Sequence, residues 1–520
     1  MKTLYVSSRS CTVLLDPDGL YEAKEPRTLS LNGKLLREET KSVASVFGLE
    51  PDTEYTLSGE APDGTPEHVV FRTKKETCSL NVKEFGAKGD GETDDTPMIQ
   101  AAILACPRGG RVLVPEGTYR TGPLFLKSHM TLEIAGGATL ALETDRNRFP
   151  IFPGRTPAHN ADGEFLLGMW EGESRDGYAS ALTGIDITDT AVIGEGIVDG
   201  RAQESDWWVD PKKIRGATRG HLLFLMRCRG VTVQGLTFRN SPAWNLHPTM
   251  SRDLDFLNLQ IEAPWDSPNT DGFDPESCSH VRLLGSRISV GDDCIAIKAG
   301  KIELGKKYRM PCDEIEIAWC AMLDGHGGVT VGSEMAGGVR NVRAHHCYMR
   351  GNDRALRIKT RRGRGKDGVV DNILFEHVRM KNIKVPLVVN SLYFCDPDGH
   401  SPWVQSRAHE AVDDTTPRIG SIRFEHVKAT GCQGCVAYVL GLPEQPVEEL
   451  VIRDSYFDFA EDASEVREPA MADGVDPVRK KGLVLKYAGR VELKNLRIDG
   501  VEGPMLDLEE VREINQQTEE

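Results

Sequence analysis

The chain has 520 residues, of which 39% are hydrophobic and 27% charged, proportions typical of a water-soluble protein with a sizeable core. Its 63 Lys and Arg against 79 Asp and Glu give a net charge of −16, which excludes a general nucleic-acid binder and requires any affinity for an acidic ligand to come from a local basic cluster. The 52 glycines favour turn-rich β architecture over a helical bundle, no apolar stretch has transmembrane length, and the opening Met1–Ser10 lacks the apolar run of an export signal. With twelve scattered cysteines, reduced thiols and a cytoplasmic location are expected.

Residues 1–76 read as a small β domain. Short strand-like runs at Thr12–Leu15, Ser42–Val46 and His68–Phe71 are separated by turns, and Thr73–Thr77 is a polar linker. Between them Leu49-Glu50-Pro51-Asp52-Thr53-Glu54-Tyr55 resembles the tyrosine corner of fibronectin type III domains, although no Trp precedes Trp170. A second unit spans 77–520. It opens with Phe85-Gly86-Ala87-Lys88-Gly89-Asp90-Gly91, then a helix from Met98 to about Cys106, capped by Asp95 or Thr96 with Pro97 at its first position. From there apolar triplets recur: Val231–Val233, Leu254–Phe256, Val281–Leu283, Ile315–Ile317, Ile373–Phe375, Ile422–Phe424, Leu450–Ile452 and Val491–Leu493. Their spacing of roughly 23–50 residues, each triplet followed by a second short strand and no helical period between, fits an all-β right-handed parallel β-helix rather than a propeller. Insertions at about 145–185, 201–220, 395–418 and 458–480 are expected to shape a binding face. Cys432 and Cys435 form one Cys-x-x-Cys pair with no second pair or His cluster nearby, and are read as buried small side chains rather than a metal or redox site.

Four segments lie in successive coils: Asn269-Thr270-Asp271, Gly291-Asp292-Asp293, Gly325-His326-Gly327 and Arg357-Ile358-Lys359. Coils stack about 4.8 Å apart, so residues one coil apart in sequence converge on one patch. Asp292 and Asp293 face the same surface only if the backbone bends, which Gly291 permits. Three carboxylates in one patch cannot all ionise cheaply, so one holds a proton near neutrality, as a glycosidic general acid must. Alone, each Asp beside a Gly is an ordinary turn residue, His326 a structural histidine and Arg357/Lys359 a solvated face; the ordered set carries the argument.

Together these segments resemble the signature of glycoside hydrolase family 28, the polygalacturonases. Phe85–Gly91 and Ala243-Trp244-Asn245-Leu246-His247-Pro248 add to the resemblance, which covers about residues 80–510. It implies hydrolysis of α-1,4-linked galacturonate with inversion and with no metal or other cofactor. Asp292 is then the general acid, Asp271 and Asp293 activate water, and His326 tunes their protonation. Arg357 and Lys359 bind the substrate carboxylate, with Asn269 and Tyr393 as further substrate contacts. Inversion implies a carboxyl gap of roughly 6.5–9.5 Å. The basic run continues through Arg361, Arg362, Arg364 and Lys366, either as further substrate contacts or as a solvated loop. The insertions and the N-terminal domain resemble the exo-acting bacterial branch, so the expected partner is an oligogalacturonide or pectic fragment. Rivals are a hydrolase of another pectic linkage (rhamnogalacturonan or xylogalacturonan), a pectate lyase and a non-catalytic carbohydrate-binding β-helix.

Overall fold

The structure is a computed structural model that describes residues 1–60, 64–157 and 163–517; residues 158–162 of the expected 145–185 insertion lie outside it. Within residues 1–76 two antiparallel sheets face each other. One has the order Lys2–Val6, Ser10–Leu14, Val43–Phe47; the other has the order Lys34–Lys41, Glu22–Leu31, Glu54–Glu60, Pro66–Arg72. Cys11, Val13, Leu15, Leu29, Leu57 and Phe71 close the core between them. The Glu50 amide donates to the Tyr55 hydroxyl at 2.9 Å, the tie that a tyrosine corner makes, and Tyr55 stacks on Phe71 where the sequence lacks a Trp. The Thr73–Thr77 stretch is shared between the two units: the Lys74 amide bonds the Ser7 carbonyl, and the Thr77 amide bonds the Gly109 carbonyl of the solenoid.

The rest of the chain is a right-handed parallel β-helix whose apolar triplets stack in register. One inward column runs Val231, Leu254, Val281, Ile315, Val342, Ile373, Ile422, Leu450, Val491, each paired with the next in parallel. All are essentially buried, so the core is one continuous apolar column along the solenoid. Corners recur at fixed coil positions in left-handed backbone: Asn258, Trp319, His346, His377 and His426 mark one such line. The N-terminal end is covered by the helix Thr96–Ala105, which buries Ile99, Ala102 and Ile103. Asp95 precedes this helix without capping it. Its carboxylate instead accepts from the Lys88 and Gly89 amides at 2.7 and 2.9 Å, because the Phe85–Gly91 turn offers better-placed donors.

Two expectations are corrected. A second helix, Ile302–Tyr308, interrupts the coils after Lys298. The last coils do not divide into separate short strands: Lys481–Asp499 runs as one strand through its corners, paired on both sides. Cys432 and Cys435 are both buried on either side of one turn, and burial pushes both thiols up.

The N-terminal sandwich docks on the solenoid's corner line. Leu14 and Val43 pack on Leu257, Leu284 and Trp319, and Gln234 bridges Ser10 and Thr12 at 2.6 Å each. Gly285 sits at φ +65°, and a Cβ there would meet the Val43 Cβ at 2.5 Å, so side chain and backbone both demand glycine. Gly285→Val is expected to lower stability by about 1–3 kcal/mol, read as a shifted urea midpoint; an unchanged midpoint would show that this contact does not hold the two units together.

Candidate active site

The register of the solenoid explains why distant carboxylates meet. Phe273 bridges Ile295 in parallel, and Ile295 pairs with Val329, which pairs with Leu356. Two residues earlier in each coil lie Asp271, Asp293, Gly327 and Arg354, so Asp271 and Asp293 occupy the same position on neighbouring rungs. One residue earlier again come Thr270, Asp292, His326 and Asp353. The strand Arg287–Ser289 has ended and Ile295–Ile297 has not begun, so Asp292 and Asp293 lie in a turn and can both reach one surface. Gly291 achieves this by close approach, since a Cβ would lie 2.3 Å from the Ser267 carbonyl oxygen. At Gly327 a Cβ would sit 2.5 Å from the Asp293 carboxylate, so glycine there leaves the carboxylate its place.

Asp271, Asp292 and Asp293 each present an oxygen within 4.8 Å of the others. For Asp271 and Asp293 this nearest approach of oxygens follows from their places on adjacent rungs. A divalent ion would fit the same spacing, but Asp293 already has its counter-charges, with Lys359 Nζ at 3.1 Å and Arg357 at 3.5 Å. Despite its burial, those cations hold the Asp293 carboxyl well below the usual range. Asp271 is pushed the other way, well above the usual range, by burial and then by the Asp292 charge. The charge crowding expected of three close carboxylates therefore falls on Asp271, the member that burial and its neighbours disfavour as an anion. Asp292 is the more exposed member and accepts from the Asp293 amide at 2.9 Å. Its Oδ1 lies 3.2 Å from His326 Nδ1, a contact that raises the His326 pKa.

All eight residues singled out from the sequence — Asn269, Asp271, Asp292, Asp293, His326, Arg357, Lys359 and Tyr393 — line one cavity of about 250 Å³. Lys359 Nζ lies over the Tyr393 ring, and Asn269 accepts from Arg219 at 2.6 Å, itself fixed by the Pro242 and Pro268 carbonyls. The remainder of the basic run does not reach the cavity. Arg361 and Arg364 pair with Asp396, Arg362 makes a buried pair with Glu444, and Lys366 pairs with Asp414 at the surface. These cations hold the 395–418 insertion in place, since buried guanidiniums require carboxylate partners.

Sequence reasoning missed a buried layer behind the pocket. Lys298 lies 3.5 Å from Asp274, 3.8 Å from Glu334 and 3.9 Å from Asp271, with its ammonium 4.6 Å from the Trp244 ring centroid. Asp274 and Lys298 lie a few residues beyond the Asn269–Asp271 and Gly291–Asp293 segments, but a turn Asp and a strand Lys carry no mark of burial. Glu171, Asp396 and Met471 reach the cavity from three separate insertions, a convergence no local pattern encodes. Trp170 from the first insertion stacks flat on Trp244, their centroids 5.4 Å apart.

Acid, coupled carboxylates and a cationic pair in a cleft on a parallel β-helix define a sugar-cleaving site of the glycoside hydrolase class. Residues 111–456 match the family model "Glycosyl hydrolases family 28", and residues 79–141 match "Rhamnogalacturonase A/epimerase, pectate lyase-like". The chain belongs to glycoside hydrolase family 28. A probable polygalacturonase of Vitis vinifera is 33% identical over 333 residues, covering 62% of this chain and 65% of its own length. An exo-poly-alpha-D-galacturonosidase of Dickeya chrysanthemi is 28% identical, covering 72% of this chain and 68% of its own. Among solved structures, an exopolygalacturonase from Thermotoga maritima superposes with TM-score 0.66 at 26% identity, covering 81% of this chain and 92% of that one. The Yersinia enterocolitica family 28 exopolygalacturonase shares the fold across 99% of this chain and 97% of its own, with TM-score 0.71 at 17% identity.

Below the pocket, His247 Nε2 and Glu276 Oε2 lie 3.0 Å apart and fully buried. Burial raises the Glu276 carboxyl to about 7 and lowers His247 to about 3, so the pair is a neutral hydrogen bond rather than an ion pair. The folded chain thus keeps a proton that the unfolded chain releases above pH 4.5, and stability from Glu276 declines as pH rises from there to about 7. Glu276→Gln keeps the hydrogen-bond geometry without titrating. Its stability relative to the parent is expected to improve by on the order of 1–3 kcal/mol between pH 5 and pH 8, measured by urea unfolding at both pH values; a difference independent of pH would contradict the assignment.

Proposed function

We propose that this chain hydrolyses α-1,4-linked galacturonate, acting from the end of short oligogalacturonides and inverting the anomeric centre. The observation that carries the reading is the single cavity in which three carboxylates meet Arg357 and Lys359, walled by side chains from the 145–185, 395–418 and 458–480 insertions. Walls supplied by three insertions suit a chain end better than a continuing polymer. Arg357 and Lys359 offer the galacturonate carboxylate a paired cationic site, which they also share with Asp293. Asp292, exposed to the cavity beside His326, protonates the leaving oxygen. Asp271 and Asp293 hold the attacking water, and Asp293, kept ionised by its cations, deprotonates it; Asp293 Oδ1 accepts no hydrogen bond from the described residues and is free to do so.

The deciding measurement is the product profile from trigalacturonate and from long polygalacturonate, with the first-formed anomer followed by NMR. Monogalacturonate released as its β-anomer, with little early viscosity loss, is expected. Rapid viscosity loss would establish internal cutting, and an α-anomer would indicate a covalent intermediate on one of the close-set carboxylates. Asp292→Asn is expected to cut kcat by roughly 10²–10⁴-fold while trigalacturonate still binds. The match of residues 79–141 to the rhamnogalacturonase model makes rhamnogalacturonan oligomers the comparison substrate; faster hydrolysis of these would move the activity to that linkage. Chelator is expected to leave the rate unchanged.

A further inference from the structure

Around the solenoid from the pocket, the strands Arg287–Ser289, Ala321–Leu323, Tyr348–Arg350, Arg379–Lys381 and Lys428–Cys432 form a sheet whose outer face turns toward the N-terminal sandwich. Between this face and the segment Asp18–Lys24 lies a groove of about 820 Å³, larger than the catalytic cavity. It exists only because the sandwich docks where it does.

The charges in this groove contrast with the neighbouring sheet, where cations in register with cations, Arg229 with Arg252 and Arg453 with Lys494, still include one that an acid pairs. On the neighbouring sheet an outward cation is matched by an acid one rung away: Arg282 with Asp255, Arg343 with Glu376, Arg453 with Glu492. In the groove, cation faces cation. Arg379 is in register with Lys428, and Arg350 is in register with Lys381 just outside the groove. Like charges directly opposite on adjacent strands are destabilising. Arg350, Arg379 and Lys428 make no ion pair among the described residues, whereas Arg287 at the groove's end is matched by Glu262 at 2.8 Å. The sandwich contributes Glu22 and an Asp18–Lys24 pair at 3.9 Å, which leaves the wall net cationic in a strongly acidic protein. Beside these cations the corner line supplies rings on successive rungs: His377 stacks on His426 with centroids 4.7 Å apart, and His346 lies tilted against His377 at 5.0 Å.

Cations without an acid partner, at rung spacing and next to planar rings, match the chemistry of a uronate chain, whose sugars each present one carboxylate and an apolar ring face; among the described residues the Lys428 ammonium meets only the Tyr456 ring. We propose that this groove is a second carbohydrate site, which holds an acidic oligosaccharide apart from the catalytic pocket. The sandwich domain thereby has a role: it closes one wall of that site.

The test uses the full chain carrying Asp292→Asn, so that bound oligomer persists, with hexagalacturonate as the probe in isothermal titration calorimetry. Two equivalents are expected to bind. Adding Arg379→Gln and Lys428→Gln, which relieves the like-charge contact and so spares folding, is expected to weaken one of them by about tenfold or more. The same two changes with Asp292 intact are expected to leave digalacturonate hydrolysis within about twofold. Loss of an equivalent on charge removal supports the proposal even if the pocket hydrolyses some other linkage, because the pocket's equivalent is the one that these changes leave alone. The proposal is overturned if charge removal leaves the stoichiometry and affinities as they were. It is equally overturned if neutral maltohexaose competes for the groove equivalent, or if phosphatidylglycerol vesicles bind through Arg379 and Lys428 while hexagalacturonate does not.

Discussion

In-register stacking places Asp271 and Asp293 at the same coil position on adjacent rungs, and the Gly272 amide bonds the Asp293 carbonyl to lock that register. Two carboxylates so placed repel unless something intervenes. On one side Lys359 and Arg357 stabilise Asp293 as an anion; on the other, burial and the Asp292 charge push the Asp271 carboxyl up. One backbone constraint thus sets two neighbouring carboxyls in opposite environments, which push them in opposite directions.

The buried layer beneath makes this asymmetry durable. Lys298 sits among Asp271, Asp274 and Glu334, and its cation is the reason that so much acid tolerates removal from water. The Trp244 ring and the first insertion exclude solvent above it, so Lys298 is held charged by its carboxylates in spite of burial. The pocket's electrostatics therefore depend on residues that contact no reacting atom in the proposed mechanism. The groove formed with the N-terminal sandwich shows the converse arrangement, with cations stacked on cations where an anionic ligand would complete the pairing.

Much of this was legible because a parallel β-helix is quasi-one-dimensional. A residue's position within its coil fixes which neighbours it meets, so segments spaced by one coil, such as Asn269–Asp271 and Gly291–Asp293, superpose on spacing alone. The tyrosine corner at Tyr55 was legible for the same reason, since it is a local motif with a local bond. The fate of Arg361, Arg362 and Arg364 was not. A basic run looks the same whether it meets a ligand or Asp396 and Glu444, and only the path of a distant insertion decides between them. Asp95 likewise had two sets of donors in reach, and the turn at Lys88–Gly89 won over the helix end.

What the sequence by itself determined is the periodic part: apolar triplets that must stack, glycines at the tight approaches, and the order in which carboxylates and cations arrive on one face. Only the tertiary structure decided which of those charges are buried, which are already paired, and how Glu171, Asp396 and Met471 close around the cavity. The physical reason is that pattern along a strand sets direction and register, whereas desolvation and pairing depend on what folds over the strand from far away in the chain.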